Sequence, residues 1–256
     1  MMRALLAAAA LVAALIATIG GAGAEQLVVS LSTHRVLITS SFAGTDLVLF
    51  GSVERDAATV ARRGGYDIVV TVMGPRRTVV TRRKDRVLGI WVNVDSRTYP
   101  DTPTYLAVLS NRPADQIATA NVLRRFKVGL GPTFEPESAA GDETDDPFRA
   151  ALLRLNVAHG LYREQGNAVT FLTPNLFRTA IALPANVPIG SYEVDVKLFA
   201  DGAMLARQTT AIEIVKVGFE QVVATAANDH GLFYGFAAAS LALLTGWLAS
   251  VVFRRD

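Results

Sequence analysis

Few residues in this sequence could do chemistry, and histidine is the scarcest of them. The three histidines, His34, His159 and His230, have no second ligand at metal spacing and no serine in a nucleophile elbow nearby. His159 falls on an apolar helix face, which favours a hydrogen-bonded core histidine over a ligand or a base. The chain has no cysteine, so thiolate metal sites, cysteine nucleophiles and disulfides are excluded. We therefore predict no catalytic residue, no metal site and no cofactor, and we do not expect an enzyme.

Cationic side chains are the one chemical group that clusters along the chain. Six of them lie within eleven residues of a predicted hairpin: Arg76, Arg77, Arg82, Arg83, Lys84 and Arg86. Clustered cations attract phosphate and carboxylate, so this run could bind an anionic ligand or lipid headgroups. The alternative is a solvated hairpin whose charges prevent edge-to-edge strand pairing. Nucleic acid is not an expected partner, because the segment is predicted to be exported.

An apolar segment at the N-terminus predicts that export. Residues 4–19 are apolar, follow a basic residue and lead into small residues with the A-x-A pattern at Ala22 and Ala24. This pattern is typical of a secretory signal peptide cleaved before Glu25. A helix of about 16 residues rises only about 24 Å, less than the roughly 30 Å of a bilayer core. We therefore expect residues 1–24 to be removed.

The second apolar segment, residues 232–253, predicts a membrane anchor. It contains no charged residue and is followed by Arg254 and Arg255, which favour a single transmembrane helix over residues 231–253 with a cytoplasmic tail, 254–256. The chain would then sit in a bacterial inner membrane, with its N-terminal region in the periplasm. Small residues recur every four positions in this segment: Ala238, Ala242, Gly246 and Ser250. Such a ridge could pack against another membrane protein or a second copy, although an alanine-rich segment also shows such rows by chance.

Residues 25–134 are predicted to form an immunoglobulin-like antiparallel β-sandwich. Seven short runs rich in Val, Ile, Leu and aromatics are separated by glycine and proline turns. The runs are 27–31, 36–39, 47–53, 66–73, 78–82, 88–94 and 105–109. We expect Trp91 to lie in the core of this sandwich.

Residues 135–146 carry six acidic and no basic residues and are predicted to be a linker between two modules. The second module, 147–218, would open with a largely buried helix capped by Asp146 and closed by Gly166 and Asn167. Strands would follow, among them a half-buried one at 192–199 and a hairpin turn at residues 201 and 202. A juxtamembrane segment, 219–230, would lead to the anchor. The predicted fold class is thus mainly β, with a sandwich, a smaller helix-plus-antiparallel-sheet module and one C-terminal transmembrane helix.

Several motifs together resemble those of an alphaproteobacterial family of uncharacterised transmembrane proteins. They lie at residues 31–32, 36–44, 48–51, 91–93, 188–192, 216–220 and 234–255. The resemblance implies a signal peptide, an exported region and one C-terminal span, and it assigns no activity and no site residue. We expect an accessory or interaction subunit of another envelope or inner-membrane protein, such as a transporter. The alternative is a periplasmic module that binds or senses a small anionic ligand.

Overall fold

The computed structural model describes residues 25–54, 65–134, 146–218, 227 and 230–252. The predicted signal segment, nearly all of the predicted acidic linker and the terminal arginines Arg254 and Arg255 lie outside the described residues. Where the chain is described, it is mainly β, as the sequence predicted.

The structure contains twelve strands and five helices over these residues. The strands are β1 (Gln26–Leu31), β2 (Arg35–Ile38), β3 (Gly44–Glu54), β4 (Asp67–Met73), β5 (Arg76–Val87), β6 (Ile90–Pro103), β7 (Leu106–Ser110), β8 (Tyr162–Gln165), β9 (Val169–Phe171), β10 (Leu176–Pro184), β11 (Gly190–Ala200) and β12 (Ala203–Lys216). The helices are α1 (Ala114–Ile117), α2 (Ala120–Arg125), α3 (Leu130–Phe134), α4 (Pro147–Ala158) and α5 (Gly231–Val252).

Ten of the strands form a two-layer sandwich. One sheet is antiparallel throughout, in the order β1-β3-β10-β9. The other has the order β2-β12-β11-β4-β7-β8 and is mixed, because β2 runs parallel to β12 and β8 runs parallel to β7. The remaining strands, β5 and β6, form a hairpin of their own.

Strands from both predicted modules alternate within each sheet. In the four-stranded sheet β3 pairs with β10, and in the six-stranded sheet β4 pairs with β11. The prediction of a complete immunoglobulin-like sandwich followed by a separate module is therefore wrong. Strand spacing along a sequence identifies strands but carries no information on pairings between strands more than 100 residues apart.

The main core lies between the inner faces of the two sheets. Alternation along β11 places Tyr192, Val194, Val196 and Leu198 in this core, where all four are fully buried. They meet side chains of the opposite sheet such as Leu49 and Phe177. Period-two alternation at 192–199 thus correctly identified an inward face.

A second core covers part of the outer face of the six-stranded sheet. Val69, Val108 and Phe199 pack there against the short helical segment 114–134, to which the sequence analysis assigned no element. Strand β4 is consequently buried on both faces, which explains its almost unbroken apolar sequence. The other face of β11 is also covered, with Asp195 only 2% and Lys197 only 4% exposed. Strand 192–199 is therefore not half-buried as predicted.

Helix α4 begins where the sequence predicted and ends earlier. The Asp146 carboxylate accepts a hydrogen bond from the Phe148 amide at 3.0 Å, so the predicted cap is confirmed. The helix ends at Ala158, because Gly160 adopts a left-handed φ of 71° and β8 starts at Tyr162. Only Leu152 of this helix is buried, so the predicted burial on two sides is wrong.

The hairpin turn between β11 and β12 is confirmed. Asp201 and Gly202 join the two strands with left-handed φ values of 50° and 80°. Positive φ at both central residues is the type I′ geometry that Asp-Gly favours.

Helix α5 spans 22 residues of the C-terminal apolar segment. Its side chains are exposed from Gly231 to Ser250, apart from a partly covered Ser240 and with Phe233 outside the described side chains. Over the described residues, no helix combines the length and the hydropathy that are required of a membrane span. The transmembrane span therefore remains a prediction.

The β3–β10 pairing makes a stability prediction. Gly51 lies opposite Phe177, and a Cβ at Gly51 would lie 2.2 Å from the buried ring. Gly51→Ala should destabilise the sandwich by about 1–3 kcal/mol through overpacking. Urea unfolding of the detergent-solubilised chain, followed by circular dichroism, measures this effect.

The matched control is Gly131→Ala in α3, where a Cβ would meet open space and alanine favours the helix. This variant should be as stable as the parent or slightly more stable. Equal stability of the two variants would contradict the pairing of the two sequence halves.

Candidate interaction surface

The six clustered cations lie on the β5–β6 hairpin, whose base is attached to the sandwich. Arg76 Nη1 donates to Asp101 Oδ2 at 2.7 Å across the base. The Tyr99 hydroxyl donates to the carboxylate of Asp146, the residue that caps α4. Helix α4 also packs against β5, in which Thr81 is buried. These contacts fix the direction in which the rest of the hairpin leaves the molecule.

The contact between Tyr99 and Asp146 changes the pKa of both groups. Burial raises the pKa of Tyr99 to about 12, and the hydrogen bond to the carboxylate and its charge add to the increase. Burial opposes ionisation of Asp146, but the hydrogen bonds from Tyr99 and the Phe148 amide hold the pKa of this carboxyl below its usual value. At neutral pH, Asp146 is therefore an anion and Tyr99 a neutral donor.

The outer half of the hairpin extends away from the body. Every residue from 82 to 98 is exposed apart from the partly covered Val92. Trp91 is 69% exposed, so its predicted place in a sandwich core is wrong. The reason is that β5 and β6 pair only with each other and not with either layer of the sandwich. An apolar run in a strand marks a core position only when that strand belongs to a covered sheet.

The tip of the hairpin is apolar. Leu88 is 100% exposed and Ile90 is 65% exposed, and they flank Gly89 in the turn. Leu88 and Gly89 both have positive φ, 50° and 88°, between the paired residues Val87 and Ile90. This is a two-residue type I′ turn, in which asparagine is the usual first residue.

Charge is divided between the two faces of the outer hairpin. Side chains of directly paired residues share a face, and successive residues alternate, with one bulge at Val94. One face carries three cations and no acid, with Trp91 beside them; the cations are Arg82, Lys84 and Arg86. The other face carries two cations, Arg83 and Arg97, and two acids, Asp85 and Asp95, and is neutral overall. The net charge of the outer hairpin is thus confined to the face with the tryptophan.

The predicted cation cluster is therefore split into groups. Only three of its six members share the cationic face. Arg76 is paired with Asp101, and Arg83 lies on the opposite face across from Asp95. Arg77 lines a separate groove at the base.

That groove is a second candidate site for an anion. It has a volume of about 640 Å³ and is lined by three cations, Arg35, Arg77 and Lys216, with backbone and apolar groups of β11 and β12 between them. Arg35 Nε also contacts Glu213 Oε2 at 3.1 Å, which neutralises part of the charge. Two of the three cations come from outside the predicted cluster, because the parallel β2–β12 pairing that brings them together is not visible in the sequence.

Sequence reasoning also missed a buried group of charges on the outer face of β11. Asp195 accepts from Arg207 Nε at 2.7 Å and contacts Lys197 Nζ at 2.5 Å. Burial lowers the pKa of Lys197, which the Asp195 carboxylate partly offsets. Both oxygens of Asp195 are thus engaged by cations, and the group ties β11 to β12. This burial is not visible in the sequence, because alternating charges in a strand normally indicate a solvated face.

The remaining predicted residues do not form a reactive site. All three histidines are exposed, so the prediction of His159 as a core residue is wrong. Among the described residues, no group of His, Asp and Glu could hold a metal ion. Ala22 and Ala24 lie outside the described residues. Glu25, the predicted first residue of the mature chain, is buried and accepts a hydrogen bond from Tyr66 at 3.2 Å.

The small-residue ridge is on the surface of α5. Ala238, Ala242, Gly246 and Ser250 are all exposed, and a Cβ at Gly246 would meet open space. Nothing in the described chain occupies the ridge.

These features define a β-sandwich with a protruding cationic hairpin and a separate apolar C-terminal helix. The chain matches the family described as "Putative transmembrane protein" over residues 26–255, and it belongs to that family. The family resemblance inferred from the motifs is thereby confirmed. No curated protein matches the chain.

Proposed function

We propose that this protein is an exported accessory subunit, anchored in a bacterial inner membrane through α5. The main evidence is that α5 exposes apolar residues on all sides, with large side chains such as Leu232, Leu241 and Leu244 over most of its circumference and the small-residue ridge over the rest. A helix that is apolar on all sides is stable only when apolar material surrounds it. The apolar run 232–253 of the sequence would rise about 33 Å as a helix, comparable with a bilayer core of roughly 30 Å, whereas the described part of α5 alone does not combine the length and hydropathy of a span.

The sequence around α5 supports the same proposal. The apolar run continues beyond the described side chains, through Phe233 at one end and through 251–253 at the other. Arg254 and Arg255 then favour a cytoplasmic C-terminus, with the sandwich in the periplasm. The family description also supports membrane association.

An accessory role, rather than catalysis, agrees with the surfaces of the molecule. The hairpin and α5 both present apolar side chains to their surroundings. Exposed apolar surface of this kind marks interaction sites. The partner in this proposal is another inner-membrane or envelope protein, such as a transporter.

The anchor is tested by extraction of membranes with alkaline carbonate. The intact chain should stay in the membrane pellet, and a chain ending at Gly218 should be released, because only the intact chain contains α5. N-terminal sequencing of the intact chain should begin at Glu25. Release of the intact chain by carbonate would refute the anchor.

Contact through α5 is tested at Gly246. Gly246→Ile places a branched side chain on the ridge without a clash inside the described chain, and it should reduce recovery of co-purifying membrane proteins in mild detergent at least severalfold. Ala237→Ile is the matched control, because position 237 lies on the opposite side of the helix, about 180° from 246. Equal recovery with both variants would show that the ridge is not the contact.

A second candidate function is binding of a small anionic ligand, which the groove lined by Arg35, Arg77 and Lys216 favours. Calorimetry with sulfate as the probe should give a Kd that rises about tenfold in Arg77→Gln and rises further with salt. Arg178→Gln, which removes an exposed cation from the other sheet, should leave the Kd unchanged. Identical titrations for the parent and Arg77→Gln would exclude this groove as an anion site.

A further inference from the structure

Folding alone does not account for the residue at the tip of the β5–β6 hairpin. Leu88 holds a left-handed φ of 50°, a region that disfavours bulky side chains, and it is fully exposed. Asparagine at this position would fit the turn better and would be better solvated. A leucine there is therefore unfavourable in water, both because of the backbone conformation and because of the exposed apolar side chain. An environment that buries the side chain removes the unfavourable exposure to water.

Apolar side chains surround the turn on both faces of the hairpin, with Val87 and Ile90 on the face of Asp85 and Trp91 on the face of Arg86. Val87, Leu88, Ile90 and Trp91 occupy adjacent positions around the turn, and all are exposed. A solvated hairpin of the kind considered from the sequence would carry polar residues at these positions. The tip therefore has the composition of a contact surface rather than of a protective edge.

The polarity of the hairpin changes in a fixed order along its length. The apolar turn is at the tip, and the next residue pair behind Val87 and Ile90 is Arg86 with Trp91. Lys84 and Arg82 follow on the same face, about 7 and 14 Å further from the tip. Acyl chains, the interface and anionic headgroups follow one another in the same order across a bilayer surface, where tryptophan prefers the interface and cations prefer the headgroups.

The unbalanced positive charge is found only on the face of the outer hairpin that carries Trp91, as the opposite face shows. Arg83 and Arg97 are balanced there by Asp85 and Asp95, so that face has no preference for an anionic surface. If the hairpin were simply solvated on both faces, nothing would require the unbalanced cations to share the face of Trp91.

The proposed anchor keeps the hairpin close to a bilayer. Twelve residues separate Gly218 from Gly231, and they span at most about 45 Å when fully extended. Tethering at this distance makes hairpin contact intramolecular and raises its effective concentration.

We propose that the β5–β6 hairpin is a second membrane contact, which inserts Leu88, Ile90 and Trp91 into the interface of a bilayer containing anionic lipid. Arg82, Lys84 and Arg86 then lie among the headgroups. This inference builds on the proposed anchor for its geometry, and it adds a lipid-binding site that the anchor does not require.

The test uses Trp91 as a depth probe in the full chain. The sequence has two tryptophans, so Trp247→Phe leaves Trp91 alone. In proteoliposomes containing phosphatidylglycerol, Trp91 emission should shift to the blue and be quenched by lipids brominated on the acyl chains. Both effects should weaken in vesicles of phosphatidylcholine alone and at high salt.

Two variants and their matched controls separate insertion from folding. Leu88→Asn suits the turn and should preserve the fold, but it should lower the inserted fraction about tenfold because an apolar side chain is lost. The triple variant Arg82→Gln, Lys84→Gln and Arg86→Gln should lower the inserted fraction about a hundredfold, because each lost charge weakens binding to anionic lipid about fivefold. Two controls should leave the quenching nearly unchanged. The first is Leu172→Asn, which replaces an exposed leucine outside the hairpin, and the second is the double variant Arg83→Gln and Arg97→Gln on the neutral face.

The outcomes distinguish this inference from the anchor. Flotation with neutral vesicles at high salt reports on α5 alone, and failure to float would refute the anchor without affecting the hairpin result. Trp91 emission that stays typical of water, without quenching in anionic vesicles, would overturn the hairpin proposal whether or not the chain floats. A hairpin that binds a protein partner instead would give that second result.

Discussion

Antiparallel pairing between Asp67–Met73 and Glu193–Phe199 is the interaction on which the rest of this structure depends. It joins residues 120 to 132 positions apart and places their two strands at the centre of the six-stranded sheet. Both strands are covered on both faces, by the opposite sheet on one side and by helices or buried charges on the other. The closure of so long a loop costs conformational entropy, which only extensive apolar burial can offset.

This central pairing also determines where the β5–β6 hairpin leaves the sandwich. Strand β4 leads directly into β5, and β6 leads directly into β7, so the hairpin emerges between two strands that neighbour each other in the sheet. Its base is further fixed by Arg76 with Asp101 and by Tyr99 with the cap of α4. A rigid base with an apolar, cationic tip is suited to presenting that tip to another surface. The hairpin and α5 together give the proposed account of an anchored protein with a second contact to its membrane.

The sequence predicted individual elements well where one physical signal is sufficient. Alternation identified the inner face of β11, Asp-Gly identified its turn, and Asp146 with Pro147 identified the start of α4. These signals are local. Pairing order is not local, so the interleaving of the two segments, the burial of Asp195 and Lys197 and the groove between β2 and β12 could not be predicted.

The candidate site shows the same limit. The cationic run was visible, but its division into a neutral and a charged face depends on strand register and on the bulge at Val94. Trp91 has the residue type of a core position, and only the topology shows that its hairpin lies outside the sandwich.

Contact of one chain with the bilayer at two separate places can be tested with a spin label at the hairpin tip. The chain has no cysteine, so Leu88→Cys gives a single labelling site. In proteoliposomes with anionic lipid, the label should be more accessible to oxygen than to a water-soluble nickel chelate, at a depth within the interface. A label at this position that is as accessible to the chelate as a label at the exposed Leu172, outside the hairpin, would show that the hairpin does not enter the bilayer.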